Sequence, residues 1–182
     1  MSRDTRDLPL AVDLDGTLIR SDVFTMQLTR FLTRAPWRLP QLLLWFTHGR
    51  ANVKARLAAY APDPATLPYD ERVMAWLRSE RARGRTIVLA SASDRNVVEA
   101  VAAHVGLFDR VFASDGRTNL KSRRKAEALA AAFPQGFVYA GNEGADLHVW
   151  EAAAGAVLVN CDPAFARRCV ARFPVERSFD RA

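Results

Sequence analysis

The residues most suggestive of chemistry are two carboxylates two positions apart, in the string Asp13-Leu14-Asp15-Gly16-Thr17-Leu18. The string directly follows a short apolar run over residues 8–13 that reads as a buried strand. At the carboxyl end of a strand in an open α/β sheet, such a pair can meet one metal ion and one phosphoryl group. Gly16 lets the chain turn sharply away, and Thr17 adds a hydroxyl facing the same space. An Asp-Gly pair alone marks no more than a turn, but the six-residue string behind an apolar strand is far more specific.

The elements that must position these groups follow from periodicity. Further apolar runs rich in β-branched or aromatic residues lie at 86–91, 111–113, 137–140 and 156–160, each ending in small or polar residues. Between them Ser93 or Asp94 can cap a helix running to about His104 and stopped by Gly106, and Ser122 can cap one over 123–133, ended by Pro134. Strands alternating with helices predict a parallel sheet buried on both faces. The expectation is an α/β, Rossmann-like three-layer sandwich with a five-stranded parallel sheet, its first strand central. Residues 20–84 contain no convincing strand, which is more than one crossover needs. Leu28, Phe31 and Leu32, then Leu39, Leu42, Leu43 and Phe46, then Val73, Trp76 and Leu77 recur at helical spacing. The last group reads as the crossover helix and the earlier ones as a small helical cap. A core of 1–19 and 84–182 thus carries an insert of 20–83.

Composition narrows the class. The chain has 182 residues, 49% hydrophobic and 25% charged, as expected of a globular protein. Its net charge is +6 with a pI near 10.0, and 23 of the 26 basic residues are Arg, an excess that reads as coding bias. What remains favours anionic ligands such as phosphates or an anionic membrane face. No helix-turn-helix, zinc or aromatic stacking motif accompanies the Arg residues, so nucleic acid is not an expected partner. Residues 1–7 have no apolar leader core, and the most apolar stretch, 39–46, is too short to span a bilayer. Cys161 and Cys169 match no zinc or redox spacing and read as buried packing in a reduced, cytoplasmic protein.

The string from Asp13 to Leu18 resembles the first motif of the haloacid dehalogenase-like (HAD) hydrolase superfamily, whose members are mostly Mg²⁺-dependent phosphatases. Ile87-Val88-Leu89-Ala90-Ser91 resembles the second motif, a strand ending in a phosphate-binding Ser or Thr. Lys125-Ala126-Glu127-Ala128-Leu129 resembles the third, and Tyr139-Ala140-Gly141-Asn142-Glu143-Gly144-Ala145-Asp146 the acidic fourth. A narrower resemblance joins residues 67–69, 89–94, 113–120 and 145–150 to the HAD domain fused ahead of UbiA-type membrane prenyltransferases. The transferase half has no counterpart here, so the chain is expected to be a stand-alone relative or a fragment.

The resemblance implies roles. Asp13 is the nucleophile that forms an aspartyl-phosphate, and Asp15 protonates the leaving alcohol and then activates water. Ser91, with Ser93 sharing the role, holds phosphoryl oxygens. Lys125 and Lys121 both compete for the cationic position, Lys125 fitting the motif better. Asp13, the backbone carbonyl of Asp15, Asn142 and Asp146 are the expected Mg²⁺ ligands. Asn142 departs from the family's usual Asp, so weaker metal affinity is expected, with Glu143 a candidate for compensation. The insert would set the substrate. Its patch of Pro36, Trp37, Leu39, Leu42, Leu43, Leu44, Trp45 and Phe46, flanked by Arg34, Arg38, His48 and Arg50, either packs inward or rests on a membrane or lipid tail. Two functions follow: a phosphatase acting on a phosphomonoester, with polyprenyl- and sugar-linked phosphates as candidates, or a weakly active or non-catalytic module that docks onto a membrane prenyltransferase.

Overall fold

β1 (Leu10–Val12) is only three residues long, and none of them reaches solvent. Such a strand must be paired on both edges and covered on both faces. A computed structural model describes residues 5–181, so Met1 to Asp4, part of the stretch read above as lacking a leader core, lie outside the described residues. β2 (Ile87–Asp94), β3 (Arg110–Ser114), β4 (Val138–Gly141), β5 (Gly155–Val159) and β6 (Val175–Phe179) complete one parallel sheet in the order β3-β2-β1-β4-β5-β6. β1 pairs with β2 on one side and β4 on the other, which makes its carboxyl end the point where strand order reverses.

Alternation decides which face each side chain supplies. Leu10, Val12, Ile87, Leu89, Val138 and Val157 pack with Val73, Met74 and Leu77 of α4 (Glu71–Ala82) and Val98 and Val101 of α5 (Arg95–Val105). Ala11, Val88, Tyr139, Ala156 and Leu158 face the opposite layer. That layer supplies Leu129 of α6 (Arg123–Ala132), Trp150 of α7 (Leu147–Ala152) and Cys169 of α8 (Pro163–Arg172). The three layers match the expectation, but the sheet has six strands, not five. Val175-Glu176-Arg177-Ser178-Phe179 is a half-exposed edge strand, and its charged middle hides it from a search for apolar runs. It is held by Glu176 on the buried guanidinium of Arg85 and by Phe179 against Trp76.

Two helix starts differ in detail. Asp94, not Ser93, caps α5 through its carboxylate and the Asn96 amide, and Gly106 ends that helix as expected. Ser122 gives α6 no side-chain cap. It sits at φ 55°, and its carbonyl accepts from the Ala126 amide.

The insert folds as α1 (Val23–Arg34), α2 (Leu39–Thr47) and α3 (Arg50–Leu57) around a cluster of their own: Phe31, Leu42, Trp45, Val53 and Leu57. The chain then returns through α4, whose capping residue Asp70 ties it to the loop after Asp15. The Asp70 amide donates to the Leu18 carbonyl, and its carboxylate accepts from Arg72 and Asn160 and lies 3.4 Å from Arg20. The Arg72 bonds, with Asn160 adding to them, hold the Asp70 carboxyl well below the usual carboxylate range even though burial pushes the other way. A group depressed in the folded state contributes stability that is full above about pH 4 and is lost as pH falls further. Asp70→Asn is therefore expected to cost roughly 1–3 kcal/mol at neutral pH. In denaturant titrations from pH 7 downward, its deficit against wild type should shrink as the medium becomes acidic.

Candidate active site

The carboxyl ends of β1, β2 and β4 open into a cavity of about 220 Å³ lined by Asp13, Asp15, Asn142 and Asp146 from the core and by Lys54 of α3 from the insert. Asp13 follows β1 and is almost fully buried. Its Oδ1 accepts a 2.7 Å hydrogen bond from Lys125 Nζ, while Oδ2 has no hydrogen-bond partner among the described residues. Lys125 also donates to the Tyr139 hydroxyl (2.8 Å), which donates onward to Asp146 Oδ1 (2.8 Å). Asp146 Oδ2 accepts from the amides of Asn142 and Glu143. A buried chain of four polar side chains thus runs from Asp13 to the loop after β4.

Burial drives the electrostatics. It raises the Asp13 carboxyl to about 7. The Lys125 ammonium works against that rise, and the charges of Asp146 and Asp15 add to it. Burial alone would lower Lys125, but Asp13, Asp146 and Asp15 outweigh it and hold the ammonium charged. Asp15 is also raised by burial, although the Val23 amide donates to its Oδ1 at 2.7 Å and opposes the shift. Lys54, whose ammonium donates to the Ala92 carbonyl at 2.6 Å, is lowered by burial.

Asp13, Asp15, Lys125, Asn142 and Asp146 meet around one space. Ser91 and Ser93 stand behind Asp15, where Ser93 Oγ donates to Asp15 Oδ2 at 3.1 Å and Ser91 Oγ approaches it at 3.5 Å. Thr17 does not face the cavity as expected. It is fully buried, with its hydroxyl turned to Asn142 Oδ1 at 3.5 Å. Lys121 stays at the half-exposed mouth, paired with Glu143 at 3.3 Å, while Lys125 takes the buried place on Asp13.

The motifs do not single out Tyr139 or Lys54. Tyr139 heads the fourth-motif string but carries no role there, and the polar end of a buried tyrosine is the one available signal. Lys54 completes a set: all three lysines of the chain line this cavity. Gly16 is demanded by close approach as well as by its φ of +75°, since a Cβ there would lie 2.1 Å from Asn142 Nδ2.

The donor set is oxygen throughout, which suits a hard divalent cation. Asp13 Oδ2 has no hydrogen-bond partner among the described residues and Asn142 lines the cavity with it, its amide oxygen 3.5 Å from the Thr17 hydroxyl, whereas both oxygens of Asp15 and of Asp146 are already engaged by the protein. Asp13 is thus the one carboxylate among these that offers an unengaged oxygen.

The chain belongs to the haloacid dehalogenase-like hydrolase family, whose model matches residues 10–151. It is 43% identical over 155 residues to the uncharacterized protein y4nM of Sinorhizobium fredii (strain NBRC 101917 / NGR234), a match covering 85% of this chain. The chain spans about 30% of the length of that curated relative. Among solved structures, a protein of unknown function from Bordetella pertussis Tohama I superimposes with a TM-score of 0.68 at 18% identity, covering 92% of this chain and 96% of that one. An apo phosphoserine phosphatase gives 0.64 at 13% identity, covering 96% and 94%.

Two substitutions probe the assembly. Tyr139→Phe removes the hydroxyl between Lys125 and Asp146 and should lower unfolding free energy by about 1–3 kcal/mol, read by denaturant titration. Gly16→Ala forces a Cβ onto Asn142 at positive φ. It is expected to cost at least about 1–2 kcal/mol from backbone conformation alone and to lower the thermal midpoint.

Proposed function

We propose that this chain is a Mg²⁺-dependent phosphatase that hydrolyses a phosphomonoester through an aspartyl-phosphate on Asp13. The observation that carries the reading is the asymmetry of the Asp13 carboxylate: Lys125 holds Oδ1, leaving Oδ2 unengaged at a cavity where Arg20, Lys54 and Lys121 stand among further carboxylates. Oδ2 attacks phosphorus, the P–O bond to the substrate alcohol breaks, and the Asp15 carboxyl gives that oxygen its proton. Burial suits Asp15 to this first role, because it keeps the carboxyl protonated at higher pH than an exposed one. The same carboxylate then takes a proton from the water that attacks the phosphoryl group, releasing inorganic phosphate and restoring Asp13. The Val23 amide holds Asp15 in place for both steps.

Lys125 neutralises Asp13; its ammonium and the hydroxyls of Ser91 and Ser93, turning from Asp15 Oδ2 to the incoming phosphate, take the phosphoryl oxygens. Lys121 at the mouth is left to the Glu143 pair. Asp13, the Asp15 backbone carbonyl and Asn142 would hold Mg²⁺, with Asp146 orienting the Asn142 loop through its amides. Bound there, the cation supplies charge that screens the approach of an anionic nucleophile to a phosphate dianion. Residues 20–83 act as the cap that selects the substrate. The resemblance to domains fused ahead of UbiA-type prenyltransferases supports a polyprenyl- or sugar-linked phosphate. The buried, unpaired Cys161 and Cys169 suit a reduced, cytoplasmic setting. Asn142 in place of a carboxylate favours a second reading, a weakly active module that docks on a membrane prenyltransferase.

Phosphate release from aryl, sugar and short polyprenyl phosphates separates the two readings. Turnover is expected to require Mg²⁺ and to fall by about three orders of magnitude or more in Asp13→Asn. Asn142→Asp should lower the Mg²⁺ concentration needed for half-maximal rate by several-fold, because it adds charge to the ligand set. Folded protein with no Asp13-dependent turnover on any of these esters would instead support the docking module.

A further inference from the structure

The outer face of the insert is apolar, exposed and ringed by unpaired positive charge. Leu42 and Trp45 of α2 turn inward onto Phe31, Val53 and Leu57, but the rest of the helix's apolar residues do not follow them. Trp37, Leu43 and Leu44 are 74%, 63% and 58% exposed, and Leu39 and Phe46 are also open to solvent. Polar side chains here are few and turn to local partners: Thr47 donates its hydroxyl to the Leu44 carbonyl, and the Gln41 amide oxygen accepts from Arg38. A specific protein partner would need hydrogen-bonding groups to read, about one bond for every 100–200 Å² buried. A fluid apolar medium needs none.

Charge points the same way. Residues 23–62 contain Arg30, Arg34, Arg38, Arg50, Lys54 and Arg56 and not one Asp or Glu, while the whole chain carries a net +6. The excess charge therefore resides entirely in the insert, and the remainder of the chain is balanced. The excess is not spread along the chain, even though Arg residues are. None of the six forms an ion pair among the described residues, and Arg34, Arg50 and Arg56 are exposed. Arg56 lies 5.4 Å over the ring of Trp45, the inward-turned neighbour of the exposed Leu44 and Phe46.

We propose that the face formed by Trp37 and the outer side of α2 docks on an anionic lipid bilayer. Its Leu and aromatic side chains would enter the acyl boundary, and the surrounding Arg residues would meet lipid phosphates. α2 is far too short to span, and no helix among the described residues is long and apolar enough to cross a membrane, so the association is interfacial. Docking of this face is independent of the proposed phosphatase chemistry.

Co-sedimentation with vesicles tests it, using phosphatidylcholine alone and phosphatidylcholine with phosphatidylglycerol. Wild type is expected to pellet only with the phosphatidylglycerol vesicles and to be released by salt. The double variant Leu43→Glu/Leu44→Glu, whose exposed positions leave the fold intact by circular dichroism, should bind roughly tenfold more weakly or worse. Arg34→Gln and Arg50→Gln should each weaken binding about fivefold at low salt. A blue shift of tryptophan emission on binding should be lost in Trp37→Phe. Failure of wild type to bind either vesicle, or equal binding by the double variant, overturns the proposal. So does a dimer in sedimentation velocity that the double variant dissolves, which would assign the face to a second copy of the chain.

Discussion

A carboxylate buried at the end of the central strand must be paired, and the pairing of Asp13 with Lys125 organises everything around it. A charge at that depth without a partner would shift its pKa and neutralise, so the ammonium of Lys125 fixes how α6 sits against the sheet. Lys125 in turn needs a second acceptor, which Tyr139 provides from β4. Tyr139 then needs one for its own proton, which Asp146 provides. Asp146 spends its other oxygen on the Asn142 and Glu143 amides, so the loop after β4 is shaped by the same requirement that pairs Asp13. Removing one member leaves the next buried and unsatisfied, which makes the chain of contacts a unit.

The insert meets this unit through Lys54, whose ammonium reaches the Ala92 carbonyl at the end of β2 from α3. Asp70 secures the far end of the insert by joining the start of α4 to the loop behind Asp15. The insert is thereby anchored at the cavity on one side while its own small cluster of Phe31, Leu42, Trp45, Val53 and Leu57 holds it together. The insert thus lines the cavity through Lys54 and carries an exposed apolar surface on α2.

Local patterns made the carboxylate pair, the strand-end serines and Lys125 legible, because each sits in a short string beside an apolar run whose period reveals a strand or helix. The parallel sheet and central first strand were legible for the same reason. What escaped is what depends on distant contacts. Tyr139 acts across β4 to α6 and α7, and Lys54 reaches the site only because the insert packs as it does. The Thr17 hydroxyl turns away from the cavity because Asn142, 125 residues later, lies against Gly16 and accepts it. The sixth strand escaped because an edge strand needs only half of its residues buried, and Glu176 and Arg177 broke the apolar run. The exposure of Leu43 and Leu44 beside buried Leu42 and Trp45 is a matter of helix rotation, which an almost uniformly apolar stretch cannot encode.

Locating the phosphoryl group during turnover is the most direct test of Asp13 as its proposed carrier. Protein turning over an aryl phosphate with Mg²⁺ would be quenched in acid and treated with borohydride, which reduces an acyl phosphate to an alcohol and so turns the aspartyl side chain into homoserine. Peptide mass spectrometry would then read the modified position. Homoserine is expected at position 13 alone, absent without substrate. Turnover with Asp13 unmodified, or with the phosphoryl group found on Ser91 or another residue, would contradict that role.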